Sequence, residues 1–212
     1  LPILSIFSSA FTRPSFLRWK VLLLATILTT GRRTILNILR VAPALTPGHP
    51  SSFHRIFSKR RWLAWRLWRA LAEYVLTRWV PDGTVKVVVD DTVDEHRGKK
   101  VYGKGCHRDA VRSTHSHTQF RWGHKWIVLC ILVRFPFATR PWALPVLVAL
   151  YRTKEQNRKE GRRHKTPVEL ARQLLAVLSR WFPERKFSLS GDGGFSAHEL
   201  AYDAQRRGAS YV

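Results

Sequence analysis

The chain has 212 residues, of which 45% are hydrophobic and 12% aromatic, enough apolar material for a packed core and too much for a disordered tail. Lys and Arg number 37 against 14 Asp and Glu, and a net charge of +23 favours an extended polyanion, above all nucleic acid, as partner. The longest apolar runs, Val21–Leu28 and Ile127–Val133, fall short of the roughly 18 residues that span a bilayer, and no signal-peptide pattern is present, so the expectation is a cytoplasmic protein with no membrane segment.

Residues 1–84 carry 13 Lys and Arg against 2 Asp and Glu and are expected to form a helical, basic, DNA-binding region. Two apolar runs around Gly31, within Thr29–Arg40, have the outline of a helix-turn-helix. Pro43–Pro50 is a loop by composition. The periodicity predicts a helix over Lys59–Trp79, with Trp62, Trp65, Ala72, Val75 and Trp79 along one stripe. Core packing explains that stripe; Arg60, Arg61, Arg66 and Arg69 on its flanks could reach phosphate.

From Thr84 the pattern changes. Val85–Asp90 is a β-branched run behind a Pro-Asp-Gly turn, and it predicts a buried strand that delivers Asp90 and Asp91. His117–Phe135 reads as two strands joined by a tight turn at Gly123-His124. Val146–Tyr151 is a further strand, and Arg152–Lys165 is a charged linker with seven Lys and Arg against two Glu. Arg162 and Arg163 in that linker are candidates to line a DNA path. Thr166–Glu169 is a capping box with Pro at the first helical position, opening a helix with Leu170, Leu174, Val177, Leu178 and Trp181 on one face. Lys186–Ser196 is a short strand ending at Asp192. A second capping box, Ser196–Glu199, starts a helix that Gly208 should stop near Arg207. The order is α/β, with Asp90 and Asp192 at strand ends.

Carboxylates at neighbouring strand ends in a basic surround suit Mg²⁺ or Mn²⁺, which prefer oxygen ligands and share them with substrate phosphates. Lys and Arg can hold a phosphate backbone but not a metal. Asp-Asp after a strand is equally ordinary turn chemistry, and the pattern alone leaves the two readings level. The histidines at 107, 115, 117 and 124 lack a third ligand at zinc spacing and are read as polar or phosphate contacts. Gly98–Arg108 is a basic, Gly-rich loop without phosphate-loop spacing; Lys104 and Arg108 are its candidate DNA contacts. Cys106 and Cys130 read as free thiols. The sequence has no Met, even at position 1, and is expected to be a fragment.

Several of these stretches together resemble the DDE transposases of bacterial insertion sequences. "VVVDDT" is similar to the family's first-strand motif, Asp-x-Thr after an apolar strand. "LSGDGGFS" is similar to its second, an Asp after a strand followed by small residues, an aromatic and a helix. "RWGHKWIVL" and "WALPVLVALYR" also resemble family segments. The resemblance implies an RNase H-like mixed sheet with flanking helices over residues 85–212, incomplete at the C-terminus, behind a mostly helical N-terminal region. It implies that Asp90 is the first catalytic carboxylate and Asp192 the second, binding Mg²⁺ or Mn²⁺ for DNA cleavage and strand transfer. Asp91 is a neighbouring metal-ligand candidate, although alternation along a strand points it away from Asp90. Lys104 and Arg108 would then approach DNA near the active site. The family's third carboxylate, a Glu on a later helix, is expected beyond Val212, since Glu199 is already explained as a capping residue. Transposon ends, target DNA and a homodimer are the implied partners, in a nucleoid-associated setting. The rival readings are a noncatalytic basic nucleic-acid-binding protein and an inactive transposase remnant.

Overall fold

The structure is a computed structural model that describes residues 2–46, 48–59, 62–109, 112–114 and 116–212, the Pro2 side chain excepted. Two compact units divide the chain, Leu1–Tyr74 and Val75–Val212.

The first unit is helical: α1 (Pro2–Ser5), α2 (Arg13–Leu28), α3 (Ile35–Val41), α4 (Ser51–Ser58) and the beginning of α5 (Ala64–Trp79). Pro14 in the first turn of α2 follows an extended Thr12, where a missing N–H costs nothing. Gly31, with φ +78°, stands in the connection to α3, and Thr34 caps α3 by accepting the Asn37 N–H at 3.3 Å. Leu22 and Ala25 of α2, Ile38 and Leu39 of α3, and Phe53 and Ile56 of α4 form one buried cluster. The helix expected from Lys59 is shorter than its periodicity suggested. Trp62 precedes α5, packs its ring on Phe11 at 5.5 Å, and donates its indole N–H to the Ile56 carbonyl at 2.9 Å. Arg60 and Arg61 lie outside the described residues. Within the stripe, Ala72 and Val75 are buried, whereas Trp65 and Trp79 are 43% and 36% exposed. Among the described residues, no helix is long and apolar enough to cross a membrane.

The second unit is built on a six-stranded mixed sheet. Its elements are β1 (Val85–Glu95), β2 (Gly105–Arg108), β3 (Phe120–Val133), β4 (Trp142–Tyr151), α6 (Lys154–Lys159), α7 (Pro167–Trp181), β5 (Phe187–Gly191), α8 (His198–Arg206) and β6 (Ser210–Tyr211). β1 pairs antiparallel with β3 on one side and parallel with β5 on the other, and β5 pairs parallel with β6. The far edge of β3 carries β2 along Phe120–Gly123 and β4 along Lys125–Val133. Three long antiparallel strands, β1, β3 and β4, with the short β2 added on the edge of β3, are followed by parallel additions through α7 and α8, the RNase H-like arrangement that the resemblance implied.

Burial alternates along β1 as strand geometry requires. Val85, Val87 and Val89 are buried with Ile127, Leu129, Ile131 and Val133 of β3, and α7 brings its buried Leu174, Leu175 and Leu178 to the sheet. The Thr166 capping box forms completely: its hydroxyl accepts the Glu169 N–H at 3.1 Å, and its own N–H donates to Glu169 Oε2 at 2.8 Å.

Three local expectations are corrected. The span from Phe120 to Val133 is one strand, not two joined at Gly123. Gly123 faces Glu95 in register, and a Cβ there would lie 2.0 Å from the Asp94 carbonyl oxygen, so glycine serves a close approach of strands rather than a turn. The charged linker contains a helix, α6, because Thr153 and Gln156 make their own capping box. The second predicted capping box does not form: Ala197 occupies the N-cap of α8 without a side-chain bond, and Glu199 meets Arg172 at 3.5 Å. Gly208, at φ +71°, does follow the end of α8.

Candidate active site

β1 and β5 run parallel, and their last paired residues are Val89 and Gly191. Asp90 and Asp192 are each the next residue. Both strands therefore bring a carboxylate to the same level, on the face opposite the buried side chains of Val87 and Val89. Thr92 lies two residues beyond Asp90 on that same face, as the Asp-x-Thr spacing demands. Asp192 also caps the 3-10 turn Gly193–Phe195, its Oδ1 accepting the Gly194 N–H at 3.0 Å. Asp90 Oδ1 accepts the Asp91 N–H at 2.7 Å. Each carboxylate thus has one oxygen oriented by backbone and a second oxygen open, and both side chains are exposed.

Their neighbours are treated differently. Asp91 projects to the opposite face and forms an ion pair with Lys125 of β3, each side chain about three-quarters shielded from solvent. His107 of β2 is buried on that side, against the ring of Tyr151 at 5.7 Å. Burial first, and then the Lys125 cation, hold its imidazole below the ordinary 6.5. Asp94 meets His96 at 3.3 Å and Glu95 meets Arg97 at 3.7 Å. Asp90 and Asp192 make no ion pair among the described residues, although 37 Lys and Arg are available to neutralise them. Two open, unpaired carboxylates side by side in a strongly basic protein suit a hard divalent cation. Among the described residues, no three His, Cys, Asp or Glu side chains cluster as a metal site, so the arrangement rests on this pair.

The candidate DNA contacts separate into two groups. Lys104 donates to the Gly98 carbonyl at 2.6 Å and sits 5.5 Å from the ring centroid of Trp122; Arg108, exposed at the end of β2, faces Phe120. Arg162 and Arg163 lie just before α7 and pair with Glu160 at 3.1 Å and Glu169 at 3.2 Å, their side chains 61% and 82% exposed. His124 packs on His96 at 4.4 Å, and the backbone N–H of His117 donates to the Thr114 hydroxyl at 3.1 Å; His115 lies outside the described residues. Cys130, two residues from the partner of Asp90 on β3, is half-buried, while Cys106 is exposed.

A family model described as a DDE superfamily endonuclease matches residues 6–212. The chain belongs to that family. Among solved structures, the chain is similar to a piggyBac transposase in a synaptic complex with hairpin DNA, resolved by cryo-EM. The two are 12% identical with a TM-score of 0.41, and the match covers 95% of this chain and 41% of that one. The chain therefore spans less than half the length of that transposase. No curated protein matches it.

Sequence reasoning located both aspartates from apolar runs that stop at a carboxylate, but Asp90 does not end its strand: β1 continues to Glu95 in antiparallel pairing with β3, and only the pairing with β5 ends at Val89. It missed Lys125 as the partner of Asp91, because that pairing depends on the β1–β3 register, which no local pattern encodes.

Proposed function

We propose that this chain supplies two of the metal-binding carboxylates of a DNA transposase, which cleaves DNA at the ends of an insertion sequence and transfers the resulting strand. The observation that carries the reading is the parallel register Val89–Gly191, which sets Asp90 and Asp192 side by side, with no cationic partner among the described residues.

In this reading Asp90 and Asp192 bind Mg²⁺ or Mn²⁺, whose chemistry when bound is to lower the pKa of a nucleophile and offset charge at phosphorus. Asp91 is not a ligand. Its bond to Lys125 fixes the strand while Asp90 turns the other way. Lys104 and Arg108 approach the DNA strand nearest the site, and Arg162 and Arg163 hold phosphate farther along the path, giving affinity without sequence choice. The helical N-terminal unit, with its surplus of cations, binds DNA as well. A homodimer across paired ends and a cytoplasmic, nucleoid-associated setting complete the picture.

The experiment is cleavage of DNA bearing the element's own ends, with Mg²⁺, by protein containing this chain. Asp90→Asn and Asp192→Asn should each abolish cleavage while DNA binding persists. Retained cleavage in either variant would remove the assignment. Loss of cleavage that also follows Asp91→Asn in a stably folded protein would shift the role to the wrong neighbour.

A further inference from the structure

The face of the sheet that presents Asp90 continues into a row of rings. On β3, Val128 is the register partner of Asp90 and Trp126 that of Thr92; His124 faces Asp94 in turn. Alternation then carries Trp122 and Phe120 onto the same face, so Trp126, His124, Trp122 and Phe120 follow one another away from the carboxylates. Six residues separate Val128 from Trp122, about 20 Å of strand. The last two rings are uncovered: Trp122 is 59% and Phe120 63% exposed. Isolated exposed aromatics are common, but two neighbours on one strand, bracketed by cations, form a patch.

The cations are placed against the rings. Cross-strand partners share a face, so Arg108, paired with Phe120, lies beside that ring. Lys104 stands over Trp122. Arg97, Lys99 and Arg112 line the adjoining groove of about 740 Å³. Of the acidic side chains around it, Glu95 pairs with Arg97, Asp109 with Arg121 at 2.6 Å, and Asp94, across from His124, meets His96 at 3.3 Å. That volume holds a group the size of a base or a nucleotide.

We infer that the Trp122–Phe120 face, with Lys104 and Arg108, binds unpaired nucleotides of a DNA strand. The bases stack on the exposed rings and the cations track the phosphates. A duplex keeps its bases stacked on one another and offers phosphates and groove edges, which need cations but no bare rings. Flat rings interleaved with Lys and Arg are the surface that single-stranded nucleic acid uses, because every base has a π face and the binding tolerates any sequence. The face deepens the endonuclease reading: it gives a frayed or cleaved strand a track leading to or from Asp90. The claim that this track feeds the cleavage site rests on that reading, whereas the binding itself does not.

The test is fluorescence anisotropy with a labelled thymidine homopolymer and, separately, a labelled duplex of the same length, at one salt concentration. Trp122→Ala and Phe120→Ala should each weaken single-strand binding by about tenfold and change duplex binding less than about twofold, with Trp122→Phe recovering most of the loss. Both substituted side chains are exposed, so folding should survive, which circular dichroism checks. Cleavage by Asp90→Asn would sink the active-site reading and leave the stacking face standing. Single-strand affinity that is unchanged in both ring variants, or lost in equal measure with duplex affinity, would overturn the proposal.

Discussion

Val89 and Gly191 face each other at the end of the parallel β1–β5 pairing, and Asp90 and Asp192 are the residues that follow them. A hundred positions of chain collapse to one inter-strand spacing, about 4.8 Å. Gly191 is part of how this closeness is reached. A Cβ there would lie 3.0 Å from Phe195 Cβ and 3.1 Å from Val89 Cγ1, so the turn that carries Asp192 packs directly over the strand.

The approach at Gly123 leads to a stability prediction. Gly123→Ala puts a methyl group into the Asp94 carbonyl oxygen, and backbone cannot yield as a flexible side chain does. Urea denaturation should show a loss of about 2–3 kcal/mol. Gly193→Ala, whose Cβ would meet nothing within 4 Å, should shift stability by less than about 0.5 kcal/mol.

Asp203 on α8 ties that helix to α7, meeting Arg172 at 3.3 Å and Arg207 at 3.4 Å with its side chain only 14% exposed. Burial alone would raise its pKa, but the adjacent Arg172 guanidinium, and after it that of Arg207, outweigh it and hold the carboxyl below the ordinary 3.8. A folded pKa below the unfolded one gives stability that is complete above the unfolded value and lost as pH falls through the folded one. The melting temperature should therefore drop below about pH 4, and Asp203→Asn should flatten that drop while costing roughly 1 kcal/mol near neutrality. An unchanged acid limb in Asp203→Asn would show that the pair carries no linkage.

The two thiols should differ in reactivity. Burial, and next the Asp90 carboxylate, push Cys130 up to about 11, so almost none of it is thiolate at neutral pH. Cys106 is exposed. Iodoacetamide labelling followed by mass spectrometry should modify Cys106 first. Asp90→Asn should speed labelling of Cys130, since one of the two causes of its raised pKa is then gone. Equal labelling of both thiols would contradict the placement of Cys130 beside Asp90.

Much of the fold was legible because its signals are local. A β-branched run marks β1, Thr166 with Glu169 marks the start of α7, and Asp192 before two glycines marks the turn after β5. The misreadings came where one residue type serves two physical ends. Glycine permits both a turn and a close approach, so Gly123 suggests a hairpin although it lies inside β3. Pro145 blurred β4, although an edge strand tolerates proline next to the irregularity at Leu129/Cys130. Charge concealed the Thr153 cap of α6. Ser196 had the spacing of a cap but is preceded by a turn that puts Ala197 at the N-cap instead. The aromatic row on β3 needed an unbroken strand before its rings could share a face, and the Asp91–Lys125 pair needed a register.

Lys125 and Asp91 should be coupled. Removing one partner leaves the other charge shielded and uncompensated, so Lys125→Met and Asp91→Asn should each cost about 1–3 kcal/mol. The double variant should be more stable than the sum of the single losses predicts, by thermal or denaturant unfolding. Additive losses would mean that the pair contributes no mutual energy.

Mn²⁺ titration followed by the electron paramagnetic resonance of the free ion tests the shared carboxylate site most directly. Asp90→Asn and Asp192→Asn should each weaken binding by at least about tenfold, with the double variant little worse than either single one, as expected for two ligands acting as a unit. Asp91→Asn should bind as the unmodified protein does. Undiminished Mn²⁺ binding in both Asp90→Asn and Asp192→Asn would contradict the account.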